Sequence, residues 1–120
     1  MNRTPSLITV DHHEDVCVVG LKNLRLDEKE IHEMADEVLS LIEEDGCRKL
    51  VFRLGPGTVE CLFSVFLAKL VMFQRRLREL GGTLKLSDAS PEVYSVFEAC
   101  KLNEHFEFAP NLAAALGKSN

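Results

Sequence analysis

The sequence predicts one α/β domain, a mixed β-sheet of four or five strands with helices packed on it. Three observations carry that expectation. Short apolar runs recur along the chain, and segments of helical period separate the later ones. Glycine or proline punctuates most of the joins. No repeat, low-complexity stretch or linker divides the 120 residues, a length that buries a real core in a single unit.

The elements follow in order. Residues 1–5 read as a loose tail. Leu7-Ile8-Thr9-Val10 and Val16-Cys17-Val18-Val19-Gly20-Leu21 are strand-like, and the polar His12-His13-Glu14-Asp15 between them suggests a hairpin. Asp27 starts a helix, with Glu30 at the spacing of a capping box. Ile31, Met34, Ala35, Val38, Leu41 and Ile42 give that helix one apolar stripe. Glu43-Glu44-Asp45 sit at the end that the helix dipole disfavours for acids, so solvent is expected to carry them. Gly46 stops the helix.

Leu50-Val51-Phe52-Arg53-Leu54 is the next strand, and Gly55-Pro56-Gly57 breaks it. A long helix is expected from about Glu60 to Leu80, ended by Gly81-Gly82. Thr83-Leu84-Lys85-Leu86 is a strand. Ser90-Pro91 opens a third helix, with serine as N-cap and proline at the first helical position. Val93, Val96, Phe97 and Cys100 are its expected core residues. Phe106-Glu107-Phe108 adds a short strand, and Asn111 caps a last turn through Leu112 and Leu116. Helices between the later strands imply parallel crossovers, while the opening hairpin adds an antiparallel edge.

Composition narrows the function. Fourteen basic against nineteen acidic residues leave a net charge of -5, which argues against nucleic-acid binding. The basic cluster Gln74-Arg75-Arg76-Leu77-Arg78 reads as the solvated side of a helix. No apolar run is long enough for a membrane span, and no signal-peptide core follows Met1. The chain therefore reads as cytoplasmic. Cys17, Cys47, Cys61 and Cys100 form no CxxC pair and read as free, mostly buried thiols.

The element order and several local patterns resemble the STAS domain, the fold of bacterial anti-sigma factor antagonists. Val18-Val19-Gly20-Leu21 followed by Leu26-Asp27 is similar to the family's second strand and first helix start. Leu50 to Leu54 is similar to its central strand, and Arg75 to Leu84 to its helix end, glycine pair and next strand. The best stretch is Ser90 to Glu98, then Leu102 and Phe106. The resemblance covers residues 14–116 and implies a regulatory, signalling role in transcription without catalysis.

The departure from the family is informative. Its members usually carry Asp-Ser-Ser-Gly where the loop enters the long helix, and a partner kinase phosphorylates a serine there. Aligned backward from Gly81-Gly82, that place holds Phe63-Ser64-Val65-Phe66. The aspartate is absent, Val65 takes the phosphorylated position, and Ser64 matches only the neighbouring serine. Arg53 replaces the central strand's usual acid. A phosphate switch is not expected, and Ser64 is the one residual phosphosite candidate.

The long helix carries the sharpest functional expectation. Phe63, Phe66, Leu67, Leu70, Phe73 and Leu77 share its core face. Cys61, Val65, Ala68 and Met72 fall near the opposite face, so the first turns are apolar all round. Either the tail or the Gly55–Glu60 loop covers this patch, or it is an interface. The interface reading assigns Cys61, Leu62, Val65, Phe66, Ala68 and Met72 to contact with a protein partner or a second copy. The resemblance makes an anti-sigma factor or kinase-like protein the expected partner.

The remaining constellations are weaker. Arg53, Gly57 and Thr58 form a candidate anion site before a helix N-terminus, without a P-loop's lysine. A tight turn explains the same glycines. Cys61 lies near a helix start, where a thiol pKa can fall, but lacks a neighbouring base. His12-His13 with Glu14 and Asp15 would need a distorted turn to hold a metal. No metal, cofactor or catalytic residue is expected. The leading reading is a protein-binding regulator that can also form a homodimer. The alternative is a small-ligand module, for lipid or nucleotide, of the kind found as a STAS-like accessory subunit of a transporter.

Overall fold

The computed structural model describes residues 6–117, so the expected tail at 1–5 lies outside the described residues. Alternation along the strands builds two sheet faces. The strands are β1 (Ile8–His13), β2 (Val16–Leu21), β3 (Lys49–Arg53), β4 (Thr83–Ser87) and β5 (Glu107–Ala109). They lie side by side in chain order, β1 antiparallel to β2 and every later pair parallel. Helices α1 (Glu28–Glu43), α2 (Phe63–Glu79) and α3 (Pro91–Ala99) connect the parallel strands, and α4 (Leu112–Ala115) follows β5.

One sheet face carries Cys17, Val19, Leu50, Phe52, Leu84 and Leu86 into a single core with the buried stripes of α1, α2 and α3. Phe52 is at its centre. It meets Phe66 edge-on at 6.1 Å and stacks on Phe73 at 6.4 Å, tying β3 to two turns of α2. Fully burying side chains of this size stabilises the fold by about 1.5–3 kcal/mol each. The other face is thinner. Among the described residues, Val18 and Val51 cluster there with Ala115 of the four-residue α4, and Val16, Ala109, Leu112 and Leu116 pack beside them.

The helix termini follow their sequence signals. Asp27 accepts from the Glu30 amide at 2.8 Å, and the Glu30 side chain accepts from the Asp27 amide at 2.9 Å. Ser90 caps α3 and Asn111 caps α4. The acids ending α1 correct one expectation. Glu43 is not left to solvent, because Arg76 of α2 grips both its carboxylate oxygens through Nε and Nη2. That ion pair holds the Glu43 carboxyl below its ordinary pKa. Arg48 also donates from one nitrogen to the carbonyls of Ile42 and Cys47, each at 2.9 Å, satisfying the end of α1.

Two further boundaries move. The last strand begins at Glu107, one residue later than expected. Cys100 is exposed at the C-cap of α3 and does not join the core. α2 ends at Glu79, and Gly82 then passes so close to the residue before β3 that a Cβ there would lie 2.1 Å from the Arg48 carbonyl oxygen.

Candidate functional site

The start of α2 is built by the loop leaving β3. Leu54 is fully buried and donates its amide to the Ser87 carbonyl at 2.8 Å, so the chain stays beside β4 for one residue past the strand. Gly55 follows, where a Cβ would sit 2.5 Å from the Asp88 carbonyl oxygen. The Gly55–Pro56 peptide is cis, and Gly57 has φ 101°, which other residues rarely adopt. Val59 then plugs back into the core at 1% exposure.

Glu60 does not begin the helix. Its amide donates to the Leu24 carbonyl at 2.7 Å, and its carbonyl accepts from the Leu26 amide at 3.0 Å. This single bridge to the β2–α1 loop is extended backbone, and it postpones α2 to Phe63, three residues later than expected. Leu62 becomes the N-cap with no side-chain capping bond. Its carbonyl accepts from the Val65 and Phe66 amides at 3.2 and 3.1 Å, closing the first turn.

The apolar patch is smaller than the sequence implies. Phe66 is fully buried between Phe52 and Phe63, and so belongs to the core and not to the surface. Cys61, Val65 and Met72 are half-buried and pack against that core. Ala68 and Ser64 are exposed one turn apart. Leu62, at 50% exposure, is the one large hydrophobic side chain left largely open among the described residues. What faces solvent is thus a strip headed by Leu62 and flanked by Ser64 and Ala68. The buried edges of Cys61, Val65 and Met72 fix its shape. Helical periodicity already puts Phe66 on the core face, and its further assignment to the contact strip is the part the structure overturns.

The candidate anion site comes apart in space. Gly57 and Thr58 lie well ahead of the α2 terminus, and Arg53 is already engaged. Its Nε donates to Asp88 Oδ2 at 3.0 Å, and Ser87 Oγ donates to the same oxygen at 2.7 Å. The three residues therefore do not meet at a helix N-terminus. Asp88 was not singled out from sequence, although its place one residue past β4 pairs it with a cation at the end of β3.

The Cys61 thiol is pushed up to about 11 by burial, the opposite of a helix-activated nucleophile. Cys47, between α1 and β3, is pushed up to about 12 by burial and by its contact with the Cys17 thiol. His12 is exposed on β1 with Nδ1 3.7 Å from Cys17 Sγ, while His13 points to the other sheet face. No group of three or more His, Cys, Asp or Glu side chains is placed to hold a metal ion among the described residues.

The comparisons bear on this geometry. The family model described as the STAS domain matches residues 8–115. The chain belongs to the STAS domain family. Among solved structures, an anti-sigma-factor antagonist (STAS) domain protein from Planctomyces limnophilus is 26% identical. The match covers 93% of this chain and 97% of that one, with a TM-score of 0.77. An anti-sigma factor antagonist from Mycobacterium paratuberculosis is 20% identical over 98% and 97% of the two chains, TM-score 0.76. The Bacillus cell fate determinant SpoIIAA, in its phosphorylated form, is 15% identical over 86% and 91%, TM-score 0.65. No curated protein sequence matches the chain.

This STAS domain has the family's five-stranded mixed sheet and its helices. Membership supports a regulatory role in general, on a fold that is typically non-enzymatic. No helix among the described residues is long and apolar enough to cross a membrane.

Proposed function

We propose that this STAS domain is a regulatory protein that binds a partner through the start of α2. The observation that carries the reading is Leu62. It is a large apolar side chain held open on a loop whose backbone is fixed on both sides. Cys61, Val65, Ala68 and Met72 extend the contact along one side of the helix. Phe66 supports the helix from beneath. The similar proteins that are anti-sigma factor antagonists favour an anti-sigma factor or kinase-like partner, and a second copy would meet the same strip.

The contact is constitutive in this reading. Ser64 is exposed in the first turn, but no aspartate precedes it and Val65 follows it. Binding then rests on apolar burial, which phosphate does not gate. The decisive experiment combines Leu62→Asp with Val65→Asp. Sedimentation of the folded variant, alone and with the genome's anti-sigma kinase-like proteins, should show association lost. Unchanged association would place the interface elsewhere. Stoichiometric phosphate on Ser64 after incubation with such a kinase and ATP would overturn the constitutive reading.

A further inference from the structure

The opposite end of the sheet holds a cleft of about 580 Å³, on the thinly covered face. Its size falls within the range of small-molecule sites. The four-residue α4 packs on β3, β4 and β5 and, among the described residues, leaves Val16 at the start of β2 partly exposed. Val16, Lys49 and Thr83, the first residues of three parallel strands, form one row of its floor. Val51 and Lys85 form the next row. Ala115 and Leu116 at the end of α4 make one wall, and the β1–β2 turn makes the other.

We propose that this cleft binds a small amphiphilic anion, its acidic head between Lys49 and Lys85 and its apolar body on Val16 and Leu116. Lys49 and Lys85 are diagonal neighbours on one sheet face, with Cα atoms about 8 Å apart by strand geometry. Two flexible ammonium groups at that spacing can reach one carboxylate or phosphate. Each is now held at the rim. Lys49 Nζ lies 2.8 Å from Asp15 Oδ2, and Lys85 Nζ lies 3.5 Å from Glu107 Oε2 and 3.3 Å from the Ala115 carbonyl. Both rim carboxylates are about two-thirds exposed, and such ion pairs are weak. A ligand anion replaces them without leaving a buried charge unpaired. The partly exposed apolar lining of Val16 and Leu116 favours an organic anion over inorganic phosphate.

This site is independent of the α2 reading and survives its failure. The test is a nuclear magnetic resonance titration of the full chain with hexanoate and hexyl phosphate, which separates a carboxylate source from a phosphate one. Hexylammonium and inorganic phosphate serve as controls. At least one of the two organic anions should shift the amides of Val16, Lys49, Val51, Lys85 and Leu116, with affinity on the order of millimolar. Lys49→Gln should weaken that binding about ten-fold, and so should Lys85→Gln. Lys49 is largely exposed, so its variant keeps the test valid if Lys85→Gln does not fold. Absence of shifts, equal shifts with hexylammonium, shifts confined to the α2 start, or unchanged affinity in Lys49→Gln would each overturn the proposal.

Discussion

Arg53 Nε donates to Asp88 Oδ2 at 3.0 Å, joining the end of β3 to the residue after β4. Asp88 has φ 61°, a conformation that costs a non-glycine residue energy, and it is only 17% exposed. The Ser87 hydroxyl, fully buried, donates to the same oxygen. A cation at the end of this strand is therefore matched by an acid on its neighbour. The pair also anchors the loop that leads to α2.

Removing either member should destabilise the domain by about 1–2 kcal/mol. Asp88→Ala also leaves the Ser87 hydroxyl unpaired. Urea unfolding of Arg53→Ala, Asp88→Ala and the double variant should give a coupling of about 0.5–1 kcal/mol. Strict additivity would mean that the contact contributes nothing.

Phe66 and Leu62 should behave oppositely although both are apolar and four residues apart. Phe66→Ala should cost about 3–5 kcal/mol, since it opens a cavity against Phe52. Leu62→Ala should change stability by less than about 0.5 kcal/mol and act on association alone. Thermal melts of the two variants check this directly.

Thiol labelling should separate the cysteines by environment. Exposed Cys100 should react first with iodoacetamide. Cys61, raised from 9.0 to about 11, stays protonated below that range. Its labelling rate, followed by peptide mass, should still be climbing at pH 10. A plateau near pH 9 would show that burial does not control this thiol.

Glu43 predicts an acid-side effect of definite sign. Its pKa is depressed in the fold by Arg76, so its contribution is complete above the unfolded carboxylate pKa and lost as pH falls through the folded one. The stability gap between the native chain and Glu43→Gln should therefore be constant near neutrality and close below about pH 4. High salt should narrow it, because both side chains reach solvent. A gap that widens with acid would contradict the assignment.

Much of the fold is legible in the sequence because its signals are local. The Asp27–Glu30 spacing, Ser90-Pro91 and Asn111 each set a helix terminus by bonds within a few residues. What local reading misses is long-range. Glu60 bonds to the Leu24 and Leu26 backbone, and this moves the start of α2. Arg76 reaches Glu43 across 33 residues. The cleft on the thin sheet face lies beside the four-residue α4, a feature that no motif marks.

The Glu60 bridge also bears on anyone wishing to redesign specificity. Thr58, Cys61 and Leu62 can be varied in a library while Gly55, Gly57 and Val59 are held and residue 60 keeps both backbone bonds to Leu24 and Leu26. An insertion between it and Phe63 would shift the entry to α2, where each residue of register rotates the strip by about 100°, from 3.6 residues per turn. Loops grafted from other members of the family should therefore be cut at Glu60, not at the first helical residue.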